Sequence, residues 1–185
     1  MKLAPNKPWL VLAGLALGVT VTNGFARFAY GLILPAMKSE MDWNYAQAGW
    51  LNTANALGYI AGAVVTMLLI RRSSPTLLFT FGLISTTVAL LATGMNAELW
   101  WQTLWRILAG FFGAMSFSTA GVLAAGLFKN EPRQNALAVA ILFAIYEIGV
   151  VLSVWLYKAR CRPGRLVLSR SLRFFRQGRT LRHPR

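Results

Sequence analysis

Residues 43–70 form a run of 28 positions without one charged side chain, and this run constrains the fold more than any other feature. Four further stretches are similar: residues 9–26 and 73–97 carry no charge, residues 99–128 carry one arginine, and residues 134–157 carry one glutamate. A helix of about 20 apolar residues crosses a hydrocarbon layer of about 30 Å. Within lipid the backbone has no water to bond, so spanning segments must be helical.

These runs predict an all-α membrane protein with about five transmembrane helices. We place the helices at about residues 9–36, 44–70, 75–96, 99–128 and 135–157. The composition agrees, because 56% of the residues are hydrophobic and 13% are charged, whereas soluble domains have about 25% charged residues. A secretory signal peptide is the alternative for the first run, but that run leads into further apolar segments.

The net charge of +14 has a local origin. Residues 1–157 hold 9 Lys and Arg against 5 acidic residues, whereas residues 158–185 hold 10 basic residues and no acid. This distribution argues against a nucleic-acid partner and predicts two parts. They are a transmembrane bundle at 1–157 and a basic, irregular, Arg-rich tail at 158–185, which is either disordered or translated out of frame.

The basic residues between the apolar runs predict the orientation of the chain. Counted from the N-terminus to the segment before the fifth helix, Lys and Arg number 2, 1, 2, 0 and 2. Basic residues concentrate on the cytoplasmic side of membrane proteins. We therefore expect a multi-pass protein in the lipid bilayer with a cytoplasmic N-terminus, although five crossings would leave the basic tail on the outer side.

Three charged residues lie inside the apolar segments: Arg27, Arg106 and Glu147. A charge at the centre of a membrane helix costs at least about 2.5–3.5 kcal/mol, so such residues are usually functional. By residue count both arginines lie about 9 Å below the outer face. Arg27, Arg106 and Glu147, together with Asn23 and Tyr30, are the candidates for a substrate or proton pathway. Glu147 could pair with either arginine or take up a proton. The alternative is structural, with Arg106 extending its stem outward as an anchor and with Asn23, Asn52 and Asn55 bonding between helices.

Glycines at four-residue spacing predict close helix packing. They form the pattern small-x-x-x-small, which lets membrane helices approach each other. The pairs Gly14–Gly18 and Gly58–Gly62 have this spacing, and Gly110 and Gly113 make the fourth helix similarly thin. These six glycines are the candidates for helix packing.

The motifs of soluble enzymes do not occur in the sequence. There is no phosphate-binding glycine loop before Lys-Ser/Thr, no metal-ligand cluster, and His183 is the only histidine. The single cysteine, Cys161, forms no internal disulfide. We predict no enzymatic activity, no cofactor and no metal.

Three segments resemble the major facilitator superfamily of transporters. WRILAGFFGA at residues 105–114 is similar to a fourth-helix motif whose arginine is associated with proton coupling. GFARFAYGLILPAM at residues 24–37 and AGWLNTANALGYIAG at residues 48–62 resemble its YbfB/YjiJ-like branch. The resemblance covers about residues 8–155.

The resemblance implies the N-terminal half of a twelve-helix fold that moves a small solute by alternating access in a bacterial inner membrane. The first and fourth helices would line its cavity. The loop at residues 69–74 keeps two arginines of the usual gating motif, and the fifth helix lacks the Gly-Pro motif of antiporters. We expect an inactive fragment, truncated or frameshifted after the fifth helix, that lacks a C-terminal half. The alternative is a small membrane scaffold protein whose basic tail binds lipid or acidic partners.

Overall fold

The computed structural model describes residues 7–29, 43–96, 98–128 and 131–160, and every regular element among them is helical. Helix 1 consists of α1, Pro8–Val19, which continues directly into a π-helical segment, π1, Thr20–Ala29. The other helices are α2, Tyr45–Leu69; α3, Pro75–Thr93; α4, Leu99–Ala125; and α5, Pro132–Arg160. The prediction of an all-α membrane fold of about five helices is confirmed.

The helices begin and end where local chemistry requires it. At the start of α2, Gln47 N donates to Asn44 Oδ1 at 2.8 Å and Asn44 N to Gln47 Oε1 at 2.9 Å, which forms a capping box. Helices α1, α3 and α5 each begin with a proline, a residue whose missing N–H costs nothing in the first turn. Gly94 and Gly126 directly follow the last residues of α3 and α4.

Four helices are long and apolar enough to cross a membrane: Tyr45–Leu69, Pro75–Thr93, Leu99–Ala125 and Pro132–Leu152. The apolar part of helix 1, Pro8–Gly24, is shorter, and residues 30–36 of the predicted first span lie outside the described residues. Many large apolar side chains on the spans are exposed, among them Ile60, Leu91 and Val151. A soluble protein rarely exposes so much apolar surface, whereas in a bilayer it faces lipid.

Helix α4 is the most enclosed of the spans. In its apolar window 56% of the residues are buried, against 22–33% in the other three. It runs parallel to α2, since Trp50 contacts Thr103 and Gly62 meets Phe111. It runs antiparallel to α3, since Gly82 meets Ser116 while Ala92 meets Trp101.

The same alternation holds for α1 and α5, which also run antiparallel to α4. The ring of Trp9 contacts the ring of Phe128, with centroids 5.0 Å apart. The ring centroids of Phe117 and Tyr146 are 5.8 Å apart. A buried apolar cluster joins the three helices, with members on α1 (Leu12, Leu15, Val19), on and just after α4 (Ala120, Leu123, Ala124, Leu127) and on α5 (Ala138, Leu142, Tyr146, Val150).

The chain divides into two compact units, Met1–Val154 and Trp155–Arg185. All contacts above lie within the first unit. Of the second unit only residues 155–160, the end of α5, are described. The prediction of an irregular basic tail concerns residues that, from 161 onward, lie outside the described part of the chain.

The turn between α3 and α4 is held by Gln102, a side chain only 1% exposed. Its Nε2 donates to Thr93 O and Asn96 O, each at 2.6 Å, and thereby satisfies carbonyls that the end of a helix leaves unpaired. We expect Gln102→Ala to lower the free energy of unfolding by about 1–3 kcal/mol, measured by denaturant titration in detergent. Gln134→Ala, at an exposed position of α5, is the control. An equal loss in both variants would contradict this role for Gln102.

Candidate functional site

Arg106 is buried in the bundle, with 5% of its side chain exposed. It lies in the second turn of α4 and, like Gln102 and Gly110 at four-residue spacing, belongs to the buried stripe of that helix. A side chain this enclosed does not reach the outer surface, so the alternative of an anchor extended outward is not what the structure describes for Arg106.

Asn55 of α2 fixes the backbone at Arg106. Its Nδ2 donates to the carbonyl oxygen of Arg106 at 3.0 Å, and the Asn55 side chain is 4% exposed. The sequence favours a hydrogen bond between helices for Asn55, and the structure confirms that interpretation.

Three glycines allow α2 and α4 to touch along their backbones. A Cβ on Gly58 would overlap the carbonyl of Ile107, one on Gly62 the carbonyl of Phe111, and one on Gly110 the carbonyl of Asn55. Such contact brings the main chain of α2 against the turn that carries Arg106.

The other three candidate packing glycines differ among themselves. A Cβ on Gly18 would lie 2.8 Å from Leu83 Cδ1 and 2.9 Å from Phe79 Cζ of α3. At Gly113 the nearest atom is Asn23 Oδ1, at an ordinary 3.7 Å. Within the described part of the chain, no atom lies within 4 Å of a Cβ built on Gly14.

A buried polar cluster joins π1 to α4. Thr22 Oγ1 lies 3.2 Å from Ser116 Oγ, and Asn23 Nδ2 donates to Thr22 Oγ1 at 3.3 Å and to Gly113 O at 3.4 Å. Thr22, Asn23 and Ser116 are 1%, 4% and 0% exposed. We call these three residues the Thr22 cluster.

Helix 1 pairs with α4 along the part that the structure describes. Trp9 faces Phe128, Thr22 faces Ser116 and Asn23 faces Gly113. The equal depth of Arg27 and Arg106 that residue counting gives stays a prediction, because no described contact tests it. The side chains of residues 25–29 and the whole of Tyr30 lie outside the described residues.

Glu147 lies apart from Arg106. It is on the exposed face of α5, beside the buried Tyr146. Tyr146 meets Phe117, which is eleven residues beyond Arg106 on α4, a distance of about 16 Å along the axis. A direct pair between Glu147 and Arg106, which the sequence left open, is therefore excluded by the helix pairing.

Sequence reasoning missed Thr22, Ser116 and Gln102. Each is a single uncharged polar side chain in an apolar segment, and only Gln102 carries a recognisable signal, its four-residue spacing from Arg106. The positions of Thr22 and Ser116 become informative only once the pairing of helix 1 with α4 is known.

The bundle of apolar spans around a buried arginine defines an integral, multi-pass helical membrane protein. The sequence model of a family described as "Uncharacterised MFS-type transporter YbfB" matches residues 19–161. The chain belongs to this family of the major facilitator superfamily, as the three motif segments predicted. No curated protein and no solved structure gives a match.

Proposed function

We propose that helix 1 and α4 line the pathway of a small anionic or carboxylated solute, which moves by alternating access. The observation that carries this proposal is the burial of Arg106 in the most enclosed helix of the bundle. A charge within a membrane segment is costly and is usually functional. A guanidinium offers a planar fork of donors that matches a carboxylate or phosphate.

The backbone contacts of α2 support this assignment. Asn55 and the close approach at Gly58 hold the turn of Arg106 in one position, and a binding group needs such support to act with a fixed geometry. We assign Arg27 of π1 to the same solute, because π1 packs on α4 through Thr22 and Asn23.

Glu147 lies on a different face of the bundle from Arg106, and we assign that face to the pathway as well. A carboxylate within the Pro132–Leu152 span is too costly to leave against lipid. We infer that this face of α5 meets water or a further half of the transporter. Alternating access requires two halves that rock around the site, so the 185 residues alone would bind solute without transporting it. The proposed orientation in a bacterial inner membrane has the N-terminus in the cytoplasm.

The test uses the 185-residue chain in lipid nanodiscs with a panel of carboxylated, phosphorylated and neutral solutes. We expect an anionic solute to raise the thermal unfolding temperature, and Arg106→Ala to raise the Kd at least about tenfold, a loss of about 1.4 kcal/mol. Arg133→Ala, at the exposed start of α5, is the control and is expected to leave the Kd unchanged.

Uptake assays in proteoliposomes complete the test. We expect the chain alone to give no uptake of the solute that it binds. Uptake that depends on Arg27 would refute the assignment of inactivity, and solute binding unaffected by Arg106→Ala would refute the proposed site.

A further inference from the structure

We propose that one side of α2 is a contact surface for a second copy of this chain, and that the amide of Asn52 pairs there with the same amide of the second copy. The contact would be symmetric about a two-fold axis along the membrane normal. This inference goes beyond the function proposed above and can be tested without a solute.

Asn52 lacks the interhelical bond that the other two asparagines of helix 1 and α2 make. Asn23 Nδ2 donates to Gly113 O at 3.4 Å, and Asn55 Nδ2 donates to Arg106 O at 3.0 Å. Asn52 is exposed on a membrane span, and within the part of the chain that the structure describes it has no hydrogen-bond partner. An amide without a partner in hydrocarbon is unfavourable. We therefore look for its partner in another chain.

Asn52 belongs to a row of residues with the spacing of a coiled-coil contact. Steps of four and three residues alternate along this side of α2, which is the heptad pattern by which two helices pack. We call the row the α2 seam; it consists of Tyr45, Gly49, Asn52, Ala56, Tyr59 and Ala63. The first three are exposed and the last three are half-buried. The row is about 27 Å long, close to the thickness of the hydrocarbon layer.

The α2 seam differs from the side of α2 that is suited to lipid. That side carries large exposed apolar residues, which are Leu57, Ile60, Val64, Met67 and Leu68, whereas the seam has small and polar ones. Gly49 is exposed, and no described atom lies within 4 Å of a Cβ built on it. Packing inside the described chain does not account for this glycine, which weakens a helix relative to alanine. Small residues allow a helix of another chain to approach closely.

The contact with α4 leaves the α2 seam accessible. Helix α2 meets α4 through Asn55, Gly58 and Gly62. At 100° per residue these positions lie about 100° around the axis from the seam. A second copy can therefore pack on the seam without displacing α4.

The chemistry of the α2 seam favours a second copy as the occupant. Two chains inserted in the same direction are related by a two-fold axis, which brings each seam residue to the level of its equivalent. The polar groups of the seam are one amide and two phenols, and each of them both donates and accepts hydrogen bonds. None of the six residues is charged, so no like charges oppose the pairing of identical surfaces.

The experiment measures self-association in a bilayer. Chains labelled at the N-terminus with a donor or an acceptor dye are mixed in vesicles of phosphatidylethanolamine and phosphatidylglycerol. Energy transfer is recorded as the mole fraction of chain in lipid is raised, which gives the Kd of the dimer because association depends on concentration. In micelles that each hold one chain the contact cannot form, so only the bilayer reports it.

We expect the parent chain to dimerise and Asn52→Leu to raise the Kd at least about fivefold, since the variant removes the interhelical amide bonds. Thr53→Val is the matched control. Thr53 is the next residue and is also exposed, but its hydroxyl donates to Gly49 O of its own helix at 3.3 Å, and it lies about 100° away from Asn52. This variant should leave the Kd unchanged.

Gly49→Leu is a second, independent variant, because it fills the point of closest approach and keeps the amide. We expect it too to raise the Kd at least about fivefold. Gly14→Leu is its control, since Gly14 of α1 is likewise exposed and has no described atom within 4 Å of a built Cβ. It should dimerise like the parent.

Oxidative cross-linking locates the contact. In a Cys161→Ser background, which has no other cysteine, Ala56→Cys on the α2 seam should form an intermolecular disulfide faster than Leu57→Cys on the neighbouring side. A disulfide requires the two Cβ atoms to lie about 4 Å apart, and only seam positions meet their equivalents at that distance.

Three results would overturn the proposal. One is a chain that stays monomeric at every mole fraction. Another is a Kd that Asn52→Leu and Gly49→Leu leave unchanged, or that their controls raise equally, because the contact would then lie on a different surface. The third is cross-linking of Leu57→Cys that is as fast as that of Ala56→Cys.

Discussion

Gly58→Ala is expected to destabilise the bundle by about 3 kcal/mol, the upper end of the range for overpacked interiors. The added methyl group would overlap the carbonyl of Ile107. A backbone group cannot move aside like a side chain, so α2 and α4 must separate along their contact. Denaturant titration of the purified chain in detergent micelles, followed by tryptophan fluorescence, measures the loss.

Gly14→Ala is the matched control for this variant. It makes the same chemical change within a helix, at an exposed position with no described atom within 4 Å of the new Cβ. Alanine is favoured over glycine in a helix interior by about 1 kcal/mol, so this variant should be as stable as the parent or slightly more stable. A similar loss in both variants would show that α2 and α4 are not in backbone contact at Gly58.

Asn55→Leu is expected to cost about 2 kcal/mol. It removes the donor to Arg106 O at 3.0 Å, and an interhelical hydrogen bond in a membrane protein contributes about 0.6 kcal/mol on average and about 1.7 kcal/mol at most. The branched leucine also enters the crossing where Gly110 packs against the Asn55 backbone, which adds strain. The same denaturant titration gives the loss.

Asn52→Leu, one turn earlier on α2, is the control for this second variant. Asn52 is exposed, so a leucine there gains lipid contact and breaks no described packing. We expect its unfolding free energy to be unchanged or slightly raised. If Asn52→Leu were the more destabilising of the two, the assignment of Asn55 to the interior of the α2–α4 contact would be wrong.

Helix positions were the most predictable part of the fold. Helices α3 and α4 begin at Pro75 and Leu99, close to the first residues of the apolar runs 73–97 and 99–128. Length and apolarity decide what enters a bilayer, so these runs locate the helices. The π-helical form of π1 was not predictable, since the residues TVTNG also fit an α-helix. The structure packs this segment against Ser116 and Gly149, which are far away in the sequence.

The candidate site was predictable in part. A charge in an apolar run identified Arg106 as unusual without any structure, whereas its support by Asn55 required knowledge that α2 and α4 run side by side. Counting residues gave a plausible level for Glu147 but not its face, because the face depends on which side of α5 packs against α4.

The sequence by itself determined that this protein crosses the membrane as helices, which runs form them, and to which transporter family the chain belongs. Hydrophobic length, charge-free composition and short motifs are local properties, and they need no partner to be recognised. Only the tertiary structure decided that α4 is the central helix, that Thr22 meets Ser116, and that Arg106 and Glu147 lie about 16 Å apart along the helix axis. These features arise from the pairing of helices, which depends on small residues that let one backbone approach another.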